Sequence, residues 1–523
     1  MRHGFVRLIV LMLVTLFVIG PPAASAGASD EQVKGIEALV DLLRQKKVLS
    51  TEEASGILTR IGGRTEEARG PRVVIEKVDE QVPVLVESAG QEAGPAAKAT
   101  AQAAPPAKEA EAAAVSASAA RPVEVEATRK VAFASEWSER IRWGGDIRMR
   151  YQSDLFGDGN AVGVGNPANP SQQLNTTEDR HQARIRARLL VEAKVNDHVD
   201  AGVRLASGSS GSPVSTNENL GDHFAKDDVW IDQAYLKIKP VDDLVIWGGR
   251  FPNPFFSTDL LWDNDLNFEG AALQYKTKLT RTVRPFAALG GFAVQELELS
   301  DQDKWLLGGQ IGAEVDITSL VQAKAALSYY DYQNIVGERN TLENPGLNDF
   351  TSPQFQQKGN TLMDIDPTGG ELYALASDFR LVNLSGELDI GFWDPVRIVL
   401  FADYVRNIGF DADKVRERTL LDEVIEEVDG YQFGLLVGHR AIKEFGQWRT
   451  GLTYRYLESD AVVDAFTDSD FHGGGTNAQG WILKGEFGVW SDVWLGLQWM
   501  TADEISGLPI AIDTLQMDLN ARF

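Results

Sequence analysis

From Arg140 to Phe523 apolar and polar residues alternate with a period of two, segment after segment. That period places successive side chains on opposite faces of a β-strand. Residues 140–151 carry Ile141, Trp143, Gly145, Ile147, Met149 and Tyr151 on one phase, and Arg142, Asp146, Arg148 and Arg150 on the other. Residues 183–195 repeat the pattern. Ala183, Ile185, Ala187, Leu189, Val191, Ala193 and Val195 stand against Arg184, Arg186, Arg188, Glu192 and Lys194. Sixteen such segments can be drawn, the last over 511–523. A soluble barrel of that size would need apolar side chains inside it, yet the second phase here is charged. Lipid outside and water inside reconcile the two faces, and a sheet in lipid must close because its edges would find no water.

The connections between segments alternate in length. Residues 196–198, 240–242, 277–282, 316–319, 391–394, 440–446 and 491–492 are short; those between them are longer, and 333–378 is far the longest. Such alternation marks periplasmic turns and extracellular loops, and it puts both ends of the barrel in the periplasm. The expected fold is an all-β transmembrane barrel of about 16 antiparallel strands, with roughly 14–18 as its range. Trp143, Trp247, Trp305, Trp448, Trp481 and Trp499 fall on the outward phase, as an interfacial aromatic girdle requires.

The N-terminal part is of another kind. Arg2 and Arg7, an apolar run from Leu8 to Ile19, and Ala24-Ser25-Ala26 form a signal peptide over 1–26. Val33, Ile36, Leu39, Val40 and Leu43 recur at helical spacing within 30–63, a short periplasmic helical segment suited to self-association. Residues 64–132 turn to Ala, Pro and Glu, which cannot bury a core and read as a disordered tether. The barrel then occupies 133–523.

Composition narrows the function. No later stretch reaches the roughly 18–20 apolar residues of a membrane helix, and the mean hydropathy of −0.19 suits a barrel, in which only alternate residues face lipid. A net charge of −26 excludes nucleic acid as a partner. There is no cysteine and there are six histidines. No serine–histidine pair is evident, and His472 in Phe-His-Gly-Gly-Gly lacks the Gly-x-Ser-x-Gly elbow of a hydrolase. No catalytic residue, metal or cofactor is expected. Asp411, Asp413, Asp464, Asp468 and Asp470 have the chemistry to hold calcium, but solvated loop acids are the better reading.

The final strand is the most specific local feature. Leu515, Met517, Leu519, Ala521 and Phe523 face one way, and Thr514, Gln516, Asp518, Asn520 and Arg522 the other. Leu515, Met517, Leu519 and Phe523 resemble the signal read by barrel-assembly machinery. A signal peptide, the helical stretch Glu37-Ala-Leu-Val-Asp-Leu-Leu-Arg-Gln-Lys-Lys-Val-Leu-Ser-Thr-Glu-Glu-Ala54, a linker and a barrel together resemble the bacterial "putative porin" family. Gly248-Gly-Arg-Phe-Pro-Asn-Pro-Phe255 resembles it too. The resemblance implies an outer-membrane channel of unassigned solute and carries no site residues with it.

Arg142, Arg148, Arg150, Arg184, Arg186, Arg188 and Arg204 all fall on the inward phase of the first three strands, an arginine comb on one wall. Inward acids gather in later strands: Glu387, Asp389, Asp403, Glu486 and Asp518. Opposed basic and acidic walls set a transverse field, which is how pores select by charge. The alternative is that the arginines pair with acids and stiffen the wall. The expected function is passive diffusion of small hydrophilic solutes or ions through the outer membrane. Its partners are outer-membrane lipid, the assembly machinery and a homo-oligomer. The runner-up is a structural anchor whose residues 30–130 bind the cell wall or an envelope partner.

Overall fold

The computed structural model describes residues 139–166, 172–298 and 301–523; the expected signal peptide, helical segment and linker lie outside the described residues. Sixteen strands build the wall. They are β1 Ile141–Phe156, β2 Arg180–Lys194, β3 Val199–Ala206, β4 Trp230–Val241, β5 Leu244–Pro252, β6 Asn267–Lys276, β7 Val283–Gln295 and β8 Lys304–Asp316. The second half comprises β9 Val321–Gln333, β10 Arg380–Trp393, β11 Val396–Asn407, β12 Asp429–Gly438, β13 Trp448–Leu457, β14 Ala478–Trp490, β15 Val493–Glu504 and β16 Ala511–Arg522. Each pairs antiparallel with the next, and β16 returns to β1 in a register running from Asp146↔Arg522 to Phe156↔Ile512. The sheet is closed, as the alternation required.

Several strands outrun the apolar pattern at the long-loop end. β1 continues to Phe156, where Gln152, Ser153 and Asp154 still pair with Gln182, His181 and Arg180. Beyond the lipid there is no demand for an apolar outer face, so the alternation lapses while the backbone ladder goes on. β3 stops early instead, and Glu218–Asn219 takes its place beside Arg184 and Ile185 of β2.

The outward phase is apolar and exposed, including Trp143, Trp305, Trp448, Trp481 and Trp499. Trp247 departs from the expected girdle. It faces inward, edge-on to Tyr235, and donates Nε1–H to Gln274 at 2.8 Å. Where the inner face is also apolar, alternation cannot tell in from out. The inner face is apolar here because the principal hydrophobic core lies inside the barrel. Phe251, Phe268, Phe292, Leu306, Tyr330, Tyr332, Leu381 and Val405 point inward from β5–β11 and bury Leu260, Leu261 and Trp262 of the β5–β6 connection. Ala461, Val462 and Val463 of the β13–β14 connection join the same cluster. The β9–β10 connection carries a small hairpin, Leu362–Asp364 with Tyr373–Leu375. In the β11–β12 connection Asp411 caps helix α1 (Ala412–Thr419), accepting from the backbone N–H of Asp413 and Lys414.

Candidate functional site

The comb stands on neighbouring strands as its spacing implies, with Arg148 opposite Arg186 and Arg150 opposite Arg184 in register. Loops deliver much of its counter-charge. Arg186 and Arg188 share Asp146 of their own wall at 2.8 Å, and Arg188 also reaches Asp265 of the 253–266 loop at 3.0 Å. Arg150 grips Asp518 through two bonds of 2.8 and 3.0 Å and Asp470 of the 458–477 loop at 3.0 Å. Arg204 is paired with Asp232. Arg148 donates to Asn217 at 2.5 Å and Arg184 to Gln152 at 3.2 Å, and among the described residues neither has a carboxylate partner. Arg142 lies exposed opposite Glu192. Arg250, a neighbour of the comb by sequence, falls on the outward phase and pairs with Glu269.

The acids of the other strands are distributed as follows. Asp389 accepts from Arg397 and Arg440, each at 2.5 Å, and Glu486 accepts from Arg449 at 2.7 Å. Glu387 stands in register with Lys324. Asp403 is buried, and it receives the Thr258 hydroxyl and N–H at 2.6 and 3.0 Å. It is thus the latch of the 253–266 loop, which crosses the lumen. The same loop sends Asp259 to Arg455 at 2.6 Å and the Phe256 N–H to Gln310 at 2.8 Å.

The acids Asp464, Asp468 and Asp470 are not free loop acids: the first is buried and the other two are paired with arginines. Asp464 and its neighbours are packed inside, Asp468 meets Arg455 at 2.6 Å, and Asp470 meets Arg150. Burial raises Asp464 to about 7; it opposes the charge of Asp470 too, but Arg150, Arg148 and Arg184 outweigh it there. The long 334–379 connection folds onto this loop, with Asn360 donating to the Ser459 carbonyl at 2.6 Å and Thr361 to Asp460 at 2.6 Å. Three connections therefore enter the barrel and dock on one another.

Asp259, Asp265, Trp262 and Arg455 belong to the site although the sequence pattern does not single them out. For the first three a signal exists in Leu260-Leu261-Trp262, three large apolar residues in a stretch otherwise fit for water. The Phe251-Pro-Asn-Pro-Phe255 stretch is where the chain leaves β5 and turns inward; the Asn253 side chain accepts from the Phe255 N–H at 2.9 Å. At the seam Met517, Leu519 and Phe523 are exposed on the outward phase and Leu515 is half-buried on it.

No curated protein matches the chain. Among solved structures it is similar to the outer membrane channel DcaP of Acinetobacter baumannii, at 13% identity over 73% of this chain and 97% of that one, with a TM-score of 0.40. It is similar also to OprB of Pseudomonas putida, at 12% identity over 75% and 97% of the two chains and a TM-score of 0.44. OmpF of Salmonella typhi, in complex with daunomycin, gives 12%, 73%, 97% and 0.40. The model of the family described as "Putative porin" matches residues 34–523, so the chain belongs to that family and is a porin-like channel of the outer membrane.

Proposed function

We propose that the channel passes small hydrophilic solutes by diffusion and prefers anions. The observation that carries this reading is the comb: seven arginines on the inward phase of three adjacent strands, with Arg148 and Arg184 holding no carboxylate among the described residues. A guanidinium stays charged at any physiological pH, so its field on a passing solute is permanent. In this reading Arg142, Arg148, Arg150, Arg184, Arg186, Arg188 and Arg204 line the basic side of the path. Glu387, Asp389 and Glu486 form the acidic side, whereas Asp518 stands on the basic wall against Arg150 and Asp403 is buried beneath Thr258.

Several further parts belong to the same reading. The signal peptide is cleaved near Ala26, and Leu515, Met517, Leu519 and Phe523 present the strand to assembly machinery. The long-loop end faces outward from the cell, and the barrel forms a homo-oligomer. The second reading, a structural anchor with cell-wall contact through residues 30–130, is favoured by one feature, the packing of three connections inside the lumen.

Planar-bilayer recording of the purified full chain separates the two. An open channel whose reversal potential in a KCl gradient moves toward cations on Arg184→Gln/Arg186→Gln/Arg188→Gln supports the anion-preferring pore. An unchanged reversal potential sinks the preference, and absence of any conductance favours the anchor.

A further inference from the structure

Arg150 satisfies two carboxylates at once, while among the described residues its neighbours Arg148 and Arg184 satisfy none. Among the described residues the two nearest carboxylates, Asp470 and Asp518, are both taken by Arg150, and neither Arg148 nor Arg184 is in ion-pair contact with an acid. The Nε atoms of Arg148 and Arg184 are moreover buried and donate to nothing among the described residues. A buried donor without an acceptor is costly, and an arginine cannot escape the cost by losing its proton. Asp154, the next acid toward the long-loop end, is already engaged by Gln152, Gln182 and Thr514. Asp470 is the only one of these acids carried by a loop rather than by the wall, and all three arginines act on its charge.

We propose that Arg148 and Arg184 form a subsite for one oxyanion, a carboxylate or phosphate-type group of a solute, and that Asp470 is its built-in competitor. The proposal rests on the anion-preferring reading above and gives it a place. An incoming oxyanion finds two guanidinium forks with spare donors, and planar forks suit carboxylate and phosphate oxygens. Asn217, which accepts from Arg148, keeps one fork oriented in the meantime. A solute oxyanion held by Arg148 and Arg184 repels the Asp470 carboxylate beside it and so weakens the tie of the 458–477 loop to Arg150 of β1. Binding and loop release are therefore coupled.

Single-channel chloride currents of the purified full chain test this, with sodium acetate and inorganic phosphate added as separate probes at constant ionic strength. The wild type should show saturable block by at least one probe, and the preferred probe tells carboxylate from phosphate chemistry. Arg148→Gln/Arg184→Gln should raise the half-blocking concentration about tenfold or more, since charge-assisted hydrogen bonds are lost. Asp470→Asn, which leaves the arginines in place, should lower it. An equal half-blocking concentration in wild type and the double variant overturns the subsite even where the channel stays anion-selective. A higher value in Asp470→Asn overturns the competitor role, and no block in wild type or Asp470→Asn overturns both. Block that depends on Arg148 and Arg184 in an unselective channel leaves the subsite standing and sinks the selectivity alone.

Discussion

Phe523 and Gly145 close the barrel on each other. Their backbones exchange both hydrogen bonds, at 3.0 and 2.9 Å, and the Phe523 ring lies where a Cβ on Gly145 would sit. That Cβ would stand 2.7 Å from the ring and 2.4 Å from the Arg188 carbonyl oxygen, which belongs to the backbone of the other neighbour of β1. The ring can swing aside toward lipid, whereas the carbonyl is fixed by the sheet. The terminal aromatic is thus a sealing residue as well as a candidate assembly signal, and glycine at 145 is the recess that receives it.

Gly145→Ala should therefore lower the stability of the folded barrel by about 1–3 kcal/mol, the usual cost of overpacking. The temperature at which the barrel loses its compact mobility in SDS gels reads this directly. Phe523→Ala in the same background should restore only part of the loss, because the contact with Arg188 remains. Full restoration would show that the ring alone set the cost.

Arg455 is the knot of the luminal loops. It is 1% exposed, and its two terminal nitrogens reach Asp259 of one loop and Asp468 of another, both at 2.6 Å. Its Nε donates to Gln432 at 2.9 Å. Removing one member of a buried ion network leaves uncompensated charge, which costs about 3–5 kcal/mol. Arg455→Met should thus destabilise the protein on that scale and raise single-channel conductance as both loops loosen. Arg455→Lys should rescue little, because a compact ammonium cannot fork to two carboxylates. A melting point and conductance like the wild type's would rule this knot out.

These anchors also explain how much of the molecule is legible in its sequence. The wall is legible because lipid imposes one rule on every strand; closure lays the polar face of the last strand beside the comb, but only the register of the closed sheet sets Asp518 against Arg150. The lumen obeys no such rule. Leu260 and Trp262 are buried by aromatic residues far apart in the chain, such as Phe251 and Tyr330, and no local spacing encodes that meeting. Asp468 and Asp470 look like surface acids because their partners, Arg455 and Arg150, lie on strands that only the closed fold brings to them. Trp247 departs from the girdle for the same reason, its strand being apolar on both faces.

Acidification should tighten the 458–477 loop through Asp464, whose side chain is 3% exposed and accepts the Gln357 N–H at 3.1 Å. Burial raises its pKa from 3.8 to about 7. A carboxyl that holds its proton more tightly when folded contributes stability that is complete below pH 3.8 and lost as pH rises through about 7. Asp460, pushed by burial to about 6, acts in the same direction. His472 acts oppositely: burial and then Lys358 lower it from 6.5 to about 3, so its contribution is present above 6.5 and lost as pH falls toward 3. Lys358, lowered by burial from 10.5 to about 8, acts in the same direction as His472 near pH 8 and adds no slope well below it. The wild type's own pH profile therefore mixes signs, and the comparison with Asp464→Asn isolates the one group. The variant should be the more stable at pH 8 and should converge with the wild type near pH 4. The gap closes by about 4 kcal/mol at most, each tenfold change in proton affinity being worth about 1.4 kcal/mol. Thermal unfolding of the two proteins across that range measures the gap, and parallel profiles would remove Asp464 from the account of pH dependence.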